Sequence, residues 1–268
     1  MADIAPAPLD VIPAGVGEPD LAVGVEVELS PTWRSMTGML GGYLAAVMIR
    51  AAERCVDGRD ARTATTAFLR PTLPGPATVV VETLRSGRSV SILQVGIRQG
   101  DRQTATSRIT FLVPTQGDSW DGSRPPPLAP VERCVPIVPP PGANHFTNAE
   151  GRLDPADRPF SGGDRSRVAG YVRPLDGAPI DAAWLAMMLD WFPPSPFSRS
   201  TLPIGGTSVD YTVHVHRALP AVPAGQWLTG EFEAEVSSGG LALEHGYVRD
   251  PEGRPLAESF HTRWLPAV

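Results

Sequence analysis

The feature that most constrains this chain is a repeat. An apolar helix followed by about four strand-like runs occurs twice. In the first half, GGYLAAVMIRAAERCV has helical periodicity, opens at Gly41 and Gly42, and stops at Asp57-Gly58. The runs TATTAFLRP, ATVVVETLRSG, SVSILQVGIRQ and TATSRITFLVP follow, most of them separated by glycine-containing turns. In the second half, DAAWLAMMLDWF reads as a helix ended by Pro193-Pro194. TSVDYTVHVHRAL, QWLTGEFEAEVSS, LALEHGYVRD and LAESFHTRWL then repeat the strand pattern. Each unit has a single helix to cover its sheet, so the repeat dictates the architecture.

Long strands joined by tight turns pair antiparallel. One helix per sheet favours a sheet curled around that helix. The expected fold is therefore α+β, a double hot-dog of two tandem modules. A β-sandwich leaves the apolar helix at the head of each half unexplained. Between Pro114 and Pro179 the chain is rich in proline, as in RPPPLAPVERCVPIVPPPG. Proline lacks an N–H and fixes φ, so this stretch predicts a connection over the surface rather than a helix or central strand. The expected organisation is an N-terminal module over 1–115, the proline-rich connection over 116–178, and a C-terminal module over 179–268.

Composition narrows the partners. The 268 residues suffice for two small domains with a real core. A net charge of -6 argues against a nucleic-acid partner. No apolar stretch approaches the roughly 20 residues of a membrane-spanning helix, and the N-terminal segment has no signal-peptide pattern. Cys55 and Cys134 make no metal-ligand spacing. A cytoplasmic setting is expected. His214 and His216 share a strand face but lack an obvious third ligand, so no metal and no cofactor are expected.

Aligning the halves pairs Tyr43 with Trp184, Arg70 with Arg217 and Ala105 with Ala257. Three differences follow. Ile49 corresponds to Asp190, Ala61 to Ser208, and Ile109 to His261. The first half is apolar at all three places and the second is polar at all three. Buried polar groups are costly unless paired, so such a cluster needs a reason. The second half is the candidate catalytic half. On pattern alone, Asp190 also reads as a solvated carboxylate in the last turn of its helix, where the dipole disfavours it. Ser208 also reads as a strand-end hydroxyl, and His261 as a structural or exposed histidine.

At these residues the sequence resembles the TesB-like acyl-CoA thioesterases. The likeness rests on AFLRPTLPG, VETLRSGRSVS, TATSRITF and LGGYLAAV in the first half, and on LDWF, TSVDYTVHVHR and LAESFHTRWL in the second. The family's site uses an aspartate on the second helix, a threonine at the start of the next strand, and a glutamine on the last strand. The aspartate position matches Asp190. The threonine position matches Ser208, with Thr207 beside it. His261 departs from the glutamine.

The resemblance implies hydrolysis of an acyl-CoA by water that Asp190 orients and deprotonates, with Ser208 and His261 holding that water. The main-chain N–H groups of Gly42 and Tyr43 are candidate donors to the thioester carbonyl. Arg85 and Arg88 are candidates to meet the CoA phosphates. No covalent intermediate is expected, because the sequence has no Ser-His-Asp arrangement, no G-x-S-x-G elbow and no suitable cysteine. Activity is expected to fall as His261 protonates, near or below neutral pH. A homodimer is expected, since hot-dog sheets usually bury their edges against a copy. Two rivals stand beside hydrolysis: a non-catalytic acyl-binding protein, and an enoyl-CoA hydratase, whose D-x-N-P-x-H spacing is missing.

Overall fold

The structure, a computed structural model, describes residues 23–125, 127–175, 180–216 and 225–265. The first half comprises β1 (Val23–Leu29), α1 (Gly41–Glu53), β2 (Asp60–Phe68), β3 (Gly75–Ser86), β4 (Val90–Gln99) and β5 (Arg102–Leu112). Three further strands follow: β6 (Val135–Pro136), β7 (Ala149–Leu153) and β8 (Arg167–Pro174). Then come α2 (Ala182–Met188), β9 (Thr207–Val215), β10 (Leu228–Glu233), β11 (Ser237–Ser238), β12 (Leu241–Arg249) and β13 (Pro255–Trp264).

All the pairings are antiparallel, and they form one sheet in the order β1-β3-β4-β5-β2-β9-β13-β12-β10-β8-β7-β6, with β11 against β12. The order is nearly a palindrome about β2 and β9. There Thr65 lies opposite Thr212, and the offset that aligns Arg70 with Arg217 aligns these two threonines. A residue facing its own repeat equivalent marks a pseudo-twofold axis. This junction also closes the inner edge of each half against the other within a single chain. Arg217 itself lies outside the described residues.

The helices are the core of this fold. In α1 every residue from Gly42 to Ile49 is buried, as are Ala51 and Ala52, and every residue of α2 is buried. A helix apolar all round is stable only when covered on all sides, and the sheet and the other helix supply that cover. The helices run antiparallel to each other. A Cβ on Gly42, at the start of α1, would fall 2.8 Å from the Ala186 carbonyl in α2. At the far end, Arg50 of α1 forms an ion pair with Asp181, the N-cap of α2.

The sequence reading needs correction at the connection. The stretch 116–178 is not only a surface loop: it carries β6, β7 and β8, and β8 is a central strand between β7 and β10. Proline occurs in these strands only at Pro136, in a two-residue edge strand, and at Pro174, the last residue of β8. Those are places where a missing donor is tolerated. β1 and β8 precede the two helices in equivalent positions, so each half has a strand before its helix as well as the strands after it. The same stretch also clamps the first half. His145 N–H donates to the Arg34 carbonyl, Asn148 Nδ2 to that of Thr32, and Trp191 Nε1 to that of His145. Trp33, Trp184, Trp191 and Phe192 are all buried in the common core.

Candidate active site

Asp190 does not lie in the last turn of a helix. α2 ends at Met188, with Leu189 as its C-cap, and Asp190 is in the turn that follows. Its carboxylate reaches the start of α1 instead. Oδ2 accepts from Gly42 N–H at 2.8 Å. The N-cap of α1 is Leu40, whose side chain offers no acceptor. Asp190 therefore caps α1 from the other half, at the positive end of its dipole, and the electrostatic sign is opposite to that expected from sequence. Gly42 is needed for this approach, because a Cβ there would also fall 2.9 Å from the Asp190 Cβ and 2.9 Å from the Met187 carbonyl.

Ser208 is turned into the core by a β-bulge. Tyr211 and Val213 face inward on β9, so strict alternation would point Val209 inward and Ser208 outward. The ladder between β13 and β9 slips here. Thr262 pairs with Asp210 and Arg263 pairs with Ser208, leaving Val209 as the extra residue. Val209 is 40% exposed and Ser208 takes the inward side. The first half has the same slip at Arg62, between Ala61 opposite Phe111 and Thr63 opposite Thr110. The repeated bulge supports the alignment of Ala61 with Ser208. Ile49, Ala61 and Ile109, the first-half equivalents of the polar trio, are all buried apolar residues.

The structure joins Asp190, His261 and Ser208 in one line. His261 is fully buried, and its Nε2 is 2.7 Å from Ser208 Oγ. Its Nδ1 is 3.4 Å from Asp190 Oδ1, within ion-pair range but too long for a good hydrogen bond. Burial first, and then the Arg263 cation, hold the imidazole well below its ordinary pKa. His261 is thus neutral at neutral pH, with one ring proton to place. A lone pair on Nδ1 would face a carboxylate, so the proton belongs on Nδ1. Nε2 then accepts from the Ser208 hydroxyl. Burial also raises the Asp190 carboxyl, opposed by Arg263 and by the Gly42 N–H.

Two residues of this cluster escaped the sequence reading. Arg263 Nη2 lies 3.3 Å from Asp190 Oδ1 and 2.6 Å from Glu244 Oε1, and its Nε donates to Glu244 Oε1 at 2.8 Å. Glu244 Oε2 accepts from Ser195 N–H at 2.6 Å. All are buried. The signal was strand alternation. Arg263 is two residues beyond His261 on the same face, and Glu244 lies opposite His261 on β12. Tyr211, opposite His261 on β9, anchors the floor by donating to the Ala186 carbonyl at 2.6 Å.

Other candidates fall elsewhere. Gly42 N–H is engaged by Asp190 and so is not free to meet a carbonyl. Tyr43 follows Gly42 in the first turn of α1, so its main-chain N–H stays a candidate donor, while its side chain is a core element. Its ring stacks on Trp33 at 5.4 Å, and burial pushes its hydroxyl up to about 12. Arg85 and Arg88 are exposed at the β3–β4 turn. The ladders Ser86–Ser91, Val90–Leu112 and Leu112–Asp60 put that turn at the Asp60 end of β2. The Gly41 and Asp190 contacts lie at the Phe68 end, about 25 Å away along the strand. The chain does not bring these arginines to the cluster. His214 packs edge-on against Phe260, and His216 lies 3.4 Å from Glu258, both on the outer face of the sheet. Cys55 and Cys134 are both free thiols. Among the described residues, no helix is long and apolar enough to cross a membrane.

A helix in each half, a continuous antiparallel sheet and an internal twofold define a double hot-dog protein with a buried polar cluster in its second half. Solved structures agree on the fold. A hot-dog protein from Alicyclobacillus acidocaldarius is 22% identical, with 91% of this chain and 94% of that one covered and a TM-score of 0.82. A putative thioesterase II from Thermobifida fusca is 21% identical, covering 93% and 96%, with a TM-score of 0.79. The acyl-CoA thioesterase II TesB2 from Mycobacterium marinum is 20% identical, covering 91% and 93%, with a TM-score of 0.70. No curated protein matches the sequence. The family models for the acyl-CoA thioesterase N-terminal and C-terminal domains match residues 29–112 and 122–265. The chain belongs to the acyl-CoA thioesterase family, and it is a thioester hydrolase.

Proposed function

We infer that the chain hydrolyses acyl-CoA thioesters to a carboxylic acid and free CoA at the Asp190 cluster. The observation that carries this reading is the line Asp190–His261–Ser208, its first two members buried and the third partly so, present in one half and apolar in the other. The geometry favours a modified role for Asp190. Its Oδ2 is taken by Gly42 N–H, and its Oδ1 faces both Arg263 and His261. The carboxylate therefore acts through the imidazole. It fixes the tautomer and stabilises the cation that forms when Nε2 takes a proton.

The test is release of free thiol from butanoyl-, octanoyl- and palmitoyl-CoA by wild type and by Asp190→Asn, each checked for folding by circular dichroism. Wild type should turn over at least one substrate, and the variant should lose about 10²–10⁴-fold in kcat. Binding of acyl-CoA by folded wild type without any release of CoA would replace this reading with a non-catalytic acyl-binding role. A homodimer remains part of the proposal, because among the described residues β1 and β6 end the sheet unpaired on one side. Sedimentation velocity at micromolar concentration measures it.

A further inference from the structure

We propose that Ser208 is the nucleophile of this site and that hydrolysis runs through an acyl ester on its Oγ. The inference rests on the thioesterase reading above and adds a covalent intermediate to it. It reverses the expectation, drawn from the sequence, that no Ser-His-Asp arrangement exists. Three residues far apart in the chain form that arrangement in space, with Ser208 Oγ 2.7 Å from His261 Nε2 and His261 Nδ1 3.4 Å from Asp190 Oδ1.

Three observations favour attack by Ser208 over attack by water held beside it. First, Nε2 lies 2.7 Å from Ser208 Oγ, and with the ring proton on Nδ1 its lone pair faces that hydroxyl, so the oxygen this base activates is Oγ. Second, His261 is fully buried and Asp190 is 5% exposed, whereas Ser208 is only partly buried. Of the three residues, Ser208 is the one that keeps some exposure to solvent, the side from which an acyl group would arrive. Third, a base stands where the resembled family has glutamine. An amide holds water by hydrogen bonds but has no basic lone pair to offer, whereas a neutral imidazole has a ring-nitrogen lone pair that can accept a proton in the transition state. The bulge at Val209 that turns Ser208 inward is what completes the line.

The chemistry balances as two acyl transfers. Ser208 Oγ attacks the thioester carbonyl carbon while its proton passes to His261 Nε2. The C–S bond then breaks, and the departing CoA sulfur takes that proton. Water next attacks the ester carbonyl and gives a proton to Nε2, and Oγ leaves as the hydroxyl by regaining it. The net reaction is hydrolysis, with Ser208 and His261 restored. Asp190 keeps its charge throughout and holds the imidazole.

The experiment uses the full chain and an acyl-CoA that it turns over. Hydroxylamine is added as a competing acceptor, and the ratio of hydroxamate to free acid is compared between the acyl-CoA and the matching acyl-pantetheine. A shared acyl-enzyme requires the same ratio from both leaving groups. Intact mass spectrometry of acid-quenched enzyme should show one added acyl group, mapped to the peptide holding Ser208. Ser208→Ala should lose both the adduct and about 10³-fold or more of the turnover. His261→Gln, which restores the family's amide, should lose a similar amount. Turnover with leaving-group-dependent ratios, no adduct, and His261→Gln within tenfold of wild type would overturn the serine route and leave direct hydrolysis standing. Failure of folded wild type to release CoA from any acyl-CoA would remove both readings together. If one variant misfolds, the partition ratio on wild type still decides.

Discussion

Arg263→Met tests whether the buried charge cluster is held by a single cation. Arg263 is 6% exposed, and its guanidinium serves two carboxylates, Glu244 at 2.6 Å and Asp190 at 3.3 Å. Methionine keeps the apolar stem and removes the charge. Two buried carboxylates then remain without their shared counter-ion. Removing one partner of a buried ion pair costs about 3–5 kcal/mol, equivalent to a fall in Tm of roughly 10 °C for a domain of this size. The loss should depend on pH. Burial already raises the Asp190 carboxyl against the pull of Arg263, and without that cation it rises further. A carboxyl raised in the folded state binds protons that the unfolded chain has released, so stability falls as pH rises from the unfolded value toward the folded one. The gap from wild type should therefore be wide at pH 8 and narrower at pH 5. Urea unfolding at both pH values measures it. Adding Glu244→Gln to Arg263→Met should recover part of the loss by removing one of the two stranded charges. A loss below about 1 kcal/mol, or one identical at the two pH values, would refute the claim that Arg263 balances the cluster.

Two further outcomes are expected. Gly42→Ala puts a Cβ under 3.0 Å from two α2 carbonyls and from the Asp190 Cβ. Overpacking of this kind costs about 1–3 kcal/mol, so thermal unfolding should shift down and activity should fall with it; a wild-type Tm would contradict the tight helix crossing. The base form of His261 is the active one, and burial with Arg263 holds its pKa well below the ordinary value. The acid limb of kcat/KM should therefore fall below the imidazole value of about 6.5, at the acid end of the near-or-below-neutral range expected from sequence. An inflection at or above 7 would count against a buried neutral imidazole.

The repeat determined the fold at the level of chain pattern. Helical and alternating apolar periods are local properties, so α1, α2 and the strands from β2 to β5 and β9 to β13 were legible as residue spacing. Comparing the halves also isolated Asp190, Ser208 and His261, because a repeat supplies its own reference for what is unusual. The strands β6 to β8 were not legible, since proline-rich composition masked short runs whose partners are distant in sequence. The chemistry of the site was decided only in three dimensions. Strand alternation would have pointed Ser208 away from His261, and a one-residue slip against β13 turned it inward. Helix position would have made Asp190 unfavourable, but the crossing of α1 and α2 set it on the N-terminus of the other helix. Arg263 and Glu244 became its neighbours through cross-strand register. Periodicity records which residues are buried, whereas the groups they meet inside depend on contacts between segments far apart in the chain, and local sequence does not encode those contacts.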